Sequence, residues 1–193
     1  MNDDSVFTVV LAAGEASRFG ATKQLADFHG EALVRRAVRL AASVCGARCL
    51  LVTGKESRQV IEACLPMPGY FVVNENYKDG IGGSLAMAAR SLGDIAEAVI
   101  VLLADQPLIT SEHLNKLIAE WRQTPGQIIA TAYANAEGPP AIFPGRYIEQ
   151  LAALKGDQGA KAIIAAENAR TLRFEPAAAD VDRPEDLDEL QAG

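Results

Sequence analysis

The sequence contains little cysteine, and its cysteines are not spaced like the ligands of a metal site. There are three, at positions 45, 49 and 64, an odd number that does not suggest a disulfide framework. We therefore expect buried, reduced thiols rather than disulfides. Reduced thiols are typical of the cytoplasm, which is the expected location of the protein.

The sequence also lacks a long apolar run and an excess of positive charge. No apolar stretch approaches the roughly 18 residues of a membrane span, so no association with a membrane is expected. The acidic residues 1–5 are not followed by the apolar core of a signal peptide, so none is expected. With 18 basic and 25 acidic side chains, the net charge of −7 argues against a nucleic acid partner.

Short apolar segments recur along the chain and alternate with amphipathic ones. The 193 residues suit one domain, 1–193. The alternation predicts an α/β fold with a mostly parallel central sheet and helices on both faces. Ala98–Leu103 is the most apolar strand and is expected at the centre, whereas the proline-rich residues 138–144 are expected at an edge. The predicted strands are Phe7–Leu11, Cys49–Thr53, Tyr70–Val73, Ala98–Leu103, Gln127–Tyr133 and Leu172–Phe174, and the predicted helices are Glu31–Cys45, Ser57–Leu65, Ser84–Leu92, Ser111–Arg122, Gly145–Leu154 and Ala160–Ala166, with a last helix near Pro184.

A glycine-rich loop follows the first predicted strand. Gly14 and Gly20 allow backbone N–H groups to approach an anion closely. Arg18 and Lys23, expected to be exposed in the same loop, suit phosphate oxygens. The loop matches neither the Walker pattern nor the G-x-G-x-x-G dinucleotide fingerprint. We interpret it as a site for the triphosphate of a nucleotide, and in an acidic protein such a site also requires a metal ion.

A carboxylate follows the predicted central strand. Asp105 has no helix to cap, because Thr110 or Ser111 can cap the next one. Ligands of parallel sheets bind where the strands end, so Asp105 is predicted to hold Mg²⁺. Asp180 and Asp182 are the other candidate ligands. We expect them to point to opposite sides of an extended segment, so that at most one of them reaches Asp105.

Two further loops carry polar side chains. Asn74 opens a glycine-rich turn, and Ser84 is expected to cap the helix that follows, whose free N–H groups favour an anion. Asp157 lies in the turn before a later helix, where capping and ligand binding are equally open interpretations. His113, in the first turn of its helix, is expected at the surface.

Taken together, six segments resemble the molybdenum cofactor cytidylyltransferases, within the wider nucleotidyltransferase family. They cover nearly the whole chain and read L-A-A-G-x-x-x-R-F-G-x-x-K-Q-L, N-x-x-Y-x-x-G-x-G-x-S-L, L-A-D-Q-P, G-x-P-A-x-F, G-D-x-G-A-K and D-x-D-x-P-E-D-L. The resemblance implies a three-layer α/β/α sandwich of Rossmann-like type that binds a nucleoside triphosphate and Mg²⁺. The chain departs from the family pattern at Ala16, Lys161 and Arg183, where Ser, Arg and Thr are usual.

The resemblance also assigns roles to residues of this chain. Ala13 occupies a position where guanylyl-transferring relatives tend to have Gly, which favours a pyrimidine nucleotide, CTP. The implied catalytic residues are Arg18, Lys23 and Asp105, the implied nucleotide contacts are Leu11, Ala12, Ala13, Gly14, Arg18, Lys23, Asn74 and Ser84, and the implied metal ligands are Asp105, Asp180 and Asp182.

The implied reaction moves CMP from CTP to the terminal phosphate of molybdopterin, with Mg²⁺ as cofactor and pyrophosphate as the leaving group. The implied partners are CTP, a molybdopterin-type acceptor, and a molybdenum hydroxylase apo-enzyme or its chaperone. Two alternatives stay open. One is transfer to another phosphorylated acceptor such as a sugar phosphate, and the other is a redox or cofactor-binding role on the same fold, against which the missing dinucleotide fingerprint counts.

Overall fold

The computed structural model describes residues 5–14 and 19–192, and these alternate between strands and helices as predicted. No helix in this part of the chain is both long and apolar enough to cross a membrane. The strands are β1 (Val6–Ala12), β2 (Asp27–Phe28), β3 (Glu31–Ala32), β4 (Cys49–Thr53), β5 (Tyr70–Val73), β6 (Ala98–Leu103), β7 (Ile129–Tyr133), β8 (Ala136–Pro144) and β9 (Arg170–Arg173). The helices are α1 (Leu33–Cys45), α2 (Ser57–Cys64), α3 (Ile81–Leu92), α4 (Ser111–Gln123), α5 (Ile148–Ala152), α6 (Ala160–Ala166) and α7 (Pro184–Ala192), with short helical turns at Lys23–Leu25, Tyr77–Asp79, Gly93–Ile95, Gly145–Tyr147 and Glu175–Ala178.

The central sheet is mostly parallel, which confirms the predicted fold class. Its strand order is β5-β4-β1-β6-β8-β7-β9, and β8 runs antiparallel to both of its neighbours. β1 pairs in parallel with β4 and with β6. The glycine-rich loop after β1 and the aspartate after β6 therefore leave the sheet side by side, at the edge where ligands of such sheets bind.

Helices cover both faces of the sheet, as a three-layer sandwich requires. One apolar cluster includes Val34 of α1 and the other includes Leu85 of α3. β1 contributes to both clusters, because successive side chains of a strand point to opposite faces. Val10 packs in the first cluster and Val9 in the second, and both are fully buried. The strand that carries the loop is thus held rigidly from two sides.

Residues 138–144 are not edge structure, contrary to the prediction. They belong to β8, which lies between β6 and β7 in the sheet. The two adjacent prolines, Pro139 and Pro140, fall where the pairing of β8 with β7 shifts its register beside Thr131. A proline nitrogen has no hydrogen to donate, and a bulge of this kind does not require one. An interior strand therefore tolerates the two prolines.

Helix α1 begins two residues later than predicted. Glu31–Ala32 instead pairs with Asp27–Phe28 in a small two-stranded sheet that precedes the helix. Leu33 at the start of α1 is buried with Phe28 in a third apolar cluster. Residues Glu31–Ala32 are therefore extended and not helical, because they pair with Asp27–Phe28.

The three cysteines are buried and free, as predicted. Burial raises the pKa of Cys49 to about 12 and the pKa of Cys64 to about 11, because a thiolate loses its hydration there. Both thiols therefore stay protonated at neutral pH and act as small apolar side chains.

His113 is buried, so its predicted surface position is wrong. Its side chain packs between α4 and the sheet, where the ring stacks on Phe174 with the centroids 4.3 Å apart. Its Nε2 lies 2.7 Å from Oγ1 of Thr131. The Thr131 hydroxyl donates its hydrogen to the carbonyl of Pro140, so Nε2 is the donor of the pair. Burial lowers the pKa of His113 to about 4, since a charged ring would lose its hydration.

We expect His113 to make the protein less stable in acid. Its folded-state pKa of about 4 lies below the ordinary value of 6.5, so the unfolded chain binds the proton more readily. The contribution of the neutral ring is complete above about pH 6.5 and is lost as the pH falls through about 4. Urea unfolding across this interval should show a flatter pH dependence for His113→Gln, which donates but does not titrate. Parallel curves for the two proteins would contradict this prediction.

Candidate active site

A pocket of about 310 Å³ opens where β1 and β6 end. Its walls come from the end of β1, the turn and first residues of α3, the end of β6 and the loop before α6. The lining residues are Leu11, Ala13, Gly14, Tyr77, Lys78, Gly80, Ile81, Ser84, Leu103, Asp105 and Asp157. Four separate segments of the six that carried the family resemblance thus meet at one place.

The end of β1 presents alternate residues to the pocket. Leu11 and Ala13 belong to the face that carries the pocket, whereas Ala12 packs into the opposite apolar cluster. Gly14 follows, and its carbonyl accepts a 2.8 Å hydrogen bond from Nε2 of Gln24. Of the predicted nucleotide contacts in this strand, Leu11 and Ala13 therefore line the pocket and Ala12 does not.

Lys23 is buried, contrary to the exposed position predicted for it; Arg18, the other predicted cation of the loop, lies outside the described residues. Lys23 begins a short helical turn, and its Nζ lies 2.8 Å from Oδ2 of Asp105 and 3.1 Å from Oδ1 of Asp182. Burial alone would lower the pKa of Lys23, but Asp105, with Asp182 and Asp180, outweighs burial and raises it. The ammonium group is therefore charged and is paired with carboxylates.

The three predicted metal ligands lie together. Asp105, Asp180 and Asp182 each offer a carboxylate oxygen, and these oxygens lie within 4.8 Å of one another. The expectation that only one of the last two would reach Asp105 is wrong, because side chains two residues apart in an extended chain share a side. It is Val181 between them that points the other way, into the third apolar cluster.

The electrostatics of this group favour a bound cation. Burial, together with the neighbouring carboxylates of Asp105 and Asp182, raises the pKa of Asp180 to about 7, against the opposing effect of Lys23. Oδ1 of Asp105 is buried, and no N–H donor from the described residues reaches it. Carboxylate oxygens are the ligands that hard divalent cations prefer. The residues present therefore fit a divalent metal ion, to which Asp105, Asp180 and Asp182 would be the ligands.

The turn before α3 is arranged differently from the prediction. α3 begins at Ile81, and its N-cap is Gly80, without a side-chain cap, so the predicted capping role of Ser84 is wrong. Ser84 instead lies inside the helix, where it lines the pocket and accepts a 3.0 Å hydrogen bond from Nδ2 of Asn74. Asn74 is not itself a lining residue. The hydrogen bond from Asn74 instead orients the Ser84 hydroxyl.

The loop before α6 closes the pocket from the side of α3. The N–H of Gly82 donates to the carbonyl of Gly156 at 2.9 Å, and a side chain at Gly80 would collide with Gly156 and Asp157. The N-cap of α6 is Gly159, so of the two open interpretations of Asp157 the capping one is wrong. Asp157 lines the pocket instead.

Five lining residues were not singled out as site residues from the sequence: Tyr77, Lys78, Gly80, Ile81 and Leu103. Tyr77, Lys78 and Ile81 all lie in the segment N-x-x-Y-x-x-G-x-G-x-S-L, and the tyrosine is a fixed position of that pattern. Tyr77 also packs on Gly54 after β4, where any side chain on the glycine would collide with the ring. The sequence pattern could therefore have indicated these residues. Which of their side chains face the pocket could not be predicted, because it depends on where α3 begins.

The chain is similar to a known family of domains and to known proteins. The family model of the MobA-like NTP transferase domain matches residues 8–171. Purine catabolism protein PucB of Bacillus subtilis is 28% identical over 172 residues, which cover 85% of this chain and 82% of PucB. Nicotine blue oxidoreductase of Paenarthrobacter nicotinovorans is 27% identical over 165 residues, which cover 81% of this chain and 79% of that protein.

Solved structures share the fold over the full length. The crystal structure of Rv0371c from Mycobacterium tuberculosis has a TM-score of 0.85 and 26% identity, and the match covers 98% of this chain and 99% of that one. A structure of Rv0371c in complex with manganese, at 24% identity and a TM-score of 0.78, covers the same shares. With its mostly parallel sheet and the family match over residues 8–171, this chain belongs to the MobA-like NTP transferase domain family and is a nucleotidyltransferase.

Proposed function

We propose that this protein is a metal-dependent cytidylyltransferase that moves CMP from CTP to the terminal phosphate of a molybdopterin-type acceptor. One observation carries the proposal. Asp105 belongs both to the acidic group with Lys23 and to the pocket lined by Ala13 and Gly14. A metal ion and a cation would thus stand beside the place where the nucleotide phosphates are expected to bind.

The proposed reaction exchanges one phosphorus–oxygen bond for another. An oxygen of the acceptor phosphate attacks the α-phosphorus of CTP, the bond to the bridging oxygen of the β-phosphate breaks, and pyrophosphate leaves with the electron pair. Both reactants are anions, so the protein must mainly position them and offset their charge. No general base is required, because the attacking phosphate is already ionised.

The residues of the site divide this work. Mg²⁺, when bound, would neutralise charge on the reacting phosphates. The similar protein Rv0371c has been solved in complex with manganese, which supports the use of a divalent ion. Lys23, released from Asp105 and Asp182, would contact the triphosphate, together with Arg18 and the backbone of Leu11, Ala12, Ala13 and Gly14. Ser84, oriented by Asn74, would supply a hydroxyl to the pocket.

The nucleotide preference should depend on the side chain of Ala13. Its methyl group lies on the face of β1 that carries the pocket and would exclude a larger purine base. We expect CTP to have the highest kcat/KM of the four common nucleoside triphosphates. Ala13→Gly should narrow the preference for CTP over GTP by about tenfold, the usual effect of one methyl-sized group in a pocket.

Ala12→Gly is the matched control for Ala13→Gly. It removes the same group from the same strand, but on the opposite face, where Ala12 packs in the core. Its preference among nucleotides should equal that of the wild type, although its stability falls. A wild-type preference for GTP, or an equal effect of the two substitutions, would refute the assignment of the base.

Two other readings have some support. Transfer to a different phosphorylated acceptor, such as a sugar phosphate, would use the same acidic group. An oxidoreductase role is favoured by the name of the relative from Paenarthrobacter, which is 27% identical to this chain, against 28% for PucB. Pyrophosphate release measured with each nucleotide, with molybdopterin cofactor or a sugar phosphate as acceptor, distinguishes the two transfer reactions from each other and from the oxidoreductase role.

A molybdenum hydroxylase apo-enzyme or its chaperone is the proposed protein partner. If pyrophosphate is released only with the molybdopterin acceptor, a pull-down experiment with these proteins is the next test.

A further inference from the structure

Gln106, the residue after Asp105, is buried and connects three segments of the chain. Only 7% of it is exposed. Its Nε2 donates to the carbonyl of Ala177 at 2.8 Å and to the carbonyl of Pro139 at 3.3 Å. One amide group therefore joins the loop after β6 to strand β8 and to the turn Glu175–Ala178.

The turn Glu175–Ala178 lies in the segment that connects β9 to Asp180 and Asp182, and this segment brings the two aspartates close to Asp105. Asp180 and Asp182 follow β9, the edge strand, and β7 and β8 separate β9 from β6 in the sheet. The chain must therefore cross two strands to return to Asp105. Residues 180–182 belong to no strand of the sheet, so ladder hydrogen bonds do not fix their position.

Two hydrogen bonds hold the segment that crosses the two strands where it reaches Asp105. The amide of Gln106 holds the carbonyl of Ala177, three residues before Asp180. The N–H of Val181 donates to the carbonyl of Asp105 at 3.0 Å. Ala177 and Val181 are both buried. Residues 105 and 106 thus hold both ends of the stretch that carries Asp180.

We propose that Gln106 is a positioning residue of the metal site, which fixes the crossing segment so that Asp180 and Asp182 face Asp105. This inference rests on the proposed metal-binding role of the three aspartates. Gln106 itself is placed behind the site, with its donor groups turned to backbone carbonyls. Groups that orient metal ligands in this way typically change metal affinity by 10- to 100-fold when they are removed.

The test compares two buried, nearly isosteric substitutions. Gln106→Leu removes the amide donors. Thr131→Val removes the hydroxyl that donates to the carbonyl of Pro140, next to Pro139, and that accepts from Nε2 of His113. Both remove hydrogen bonds to the same stretch of β8, but only the first also releases Ala177. Binding of Mn²⁺ to each protein without nucleotide is measured by calorimetry or by the electron paramagnetic resonance of free Mn²⁺.

We expect Mn²⁺ to bind Gln106→Leu at least about tenfold more weakly than the wild type, and Thr131→Val with wild-type affinity. The amide of Val181 should also exchange its hydrogen faster in Gln106→Leu alone. If that variant does not fold, Gln106→Asn, whose amide is one methylene too short, replaces it.

Wild-type affinity in the Gln106 variant, or equal weakening in Thr131→Val, would overturn the positioning role while leaving the metal site in place. A wild-type protein that binds no Mn²⁺ would overturn both the metal role and this inference.

Discussion

Asp105→Asn is expected to lower metal-dependent turnover by about 10²- to 10⁴-fold while the chain stays folded. A bound metal ion supplies several kcal/mol of charge stabilisation to such a reaction, and each 1.4 kcal/mol is tenfold in rate. Asparagine keeps the shape of the side chain and one oxygen for Lys23, which also keeps Asp182. The loss in the free energy of unfolding should therefore stay within about 2 kcal/mol.

The measurement is the initial rate of pyrophosphate release as a function of Mg²⁺ and, separately, of Mn²⁺. Asp188→Asn is the matched control, since it removes the same charge from an exposed position on α7. The control should retain wild-type rates and metal dependence. The metal assignment of Asp105 would fail if Asp105→Asn kept the wild-type rate at every metal concentration.

Lys23→Met is expected to act on both turnover and stability. Without the ammonium group, the carboxylates of Asp105 and Asp182 lose their charged partner. Removing one member of a buried ion pair costs roughly 3–5 kcal/mol, and since Asp182 is half exposed we expect about 1–3 kcal/mol here. Turnover should fall by about 10²-fold or more, because a preorganised cation is lost beside the phosphates.

A divalent metal should reverse part of this destabilisation. In the wild type the ion must displace Lys23 from two carboxylates, whereas in Lys23→Met it meets no such competitor. The variant should therefore melt well below the wild type in EDTA and recover with Mg²⁺, as expected for a ligand that binds only the folded state.

Lys116→Met is the control for the Lys23 substitution. Lys116 forms an exposed pair with Glu112 on α4, and its loss should leave the melting temperature close to that of the wild type, with or without metal. Equal melting temperatures of wild type and Lys23→Met in EDTA, together with unchanged CTP affinity, would contradict both roles of Lys23.

The order of elements and the location of the site followed from local patterns. The limits of β4, β5 and β6 agree with prediction because each is a short apolar run bounded by turn residues, and such runs have few conformations available in a packed core. Gly46 ends α1 as predicted, with a backbone conformation that favours glycine. The loop after β1 and Asp105 after β6 were predicted at one edge, because carboxyl ends of parallel strands meet there.

Burial and partners could not be predicted in the same way. Lys23 and His113 look like surface residues in the sequence, and both are buried because a distant residue satisfies them: Asp105 lies 82 positions from Lys23, and Thr131 lies 18 positions from His113. Local periodicity holds no information about such partners. The interior position of the two prolines of β8 could likewise not be predicted, because it depends on a bulge in the pairing with β7.

The sequence alone determined which chemical groups are available and which elements they adjoin: a glycine-rich loop after β1, a carboxylate after β6 and two more before α7. The tertiary structure alone decided how these groups combine. It brought Asp180 and Asp182 back across two strands to Asp105, and it placed the charge of Lys23 between them. The physical reason is that strand and helix formation depend on neighbours in sequence, whereas the position of a charge depends on burial and on partners that only folding brings near.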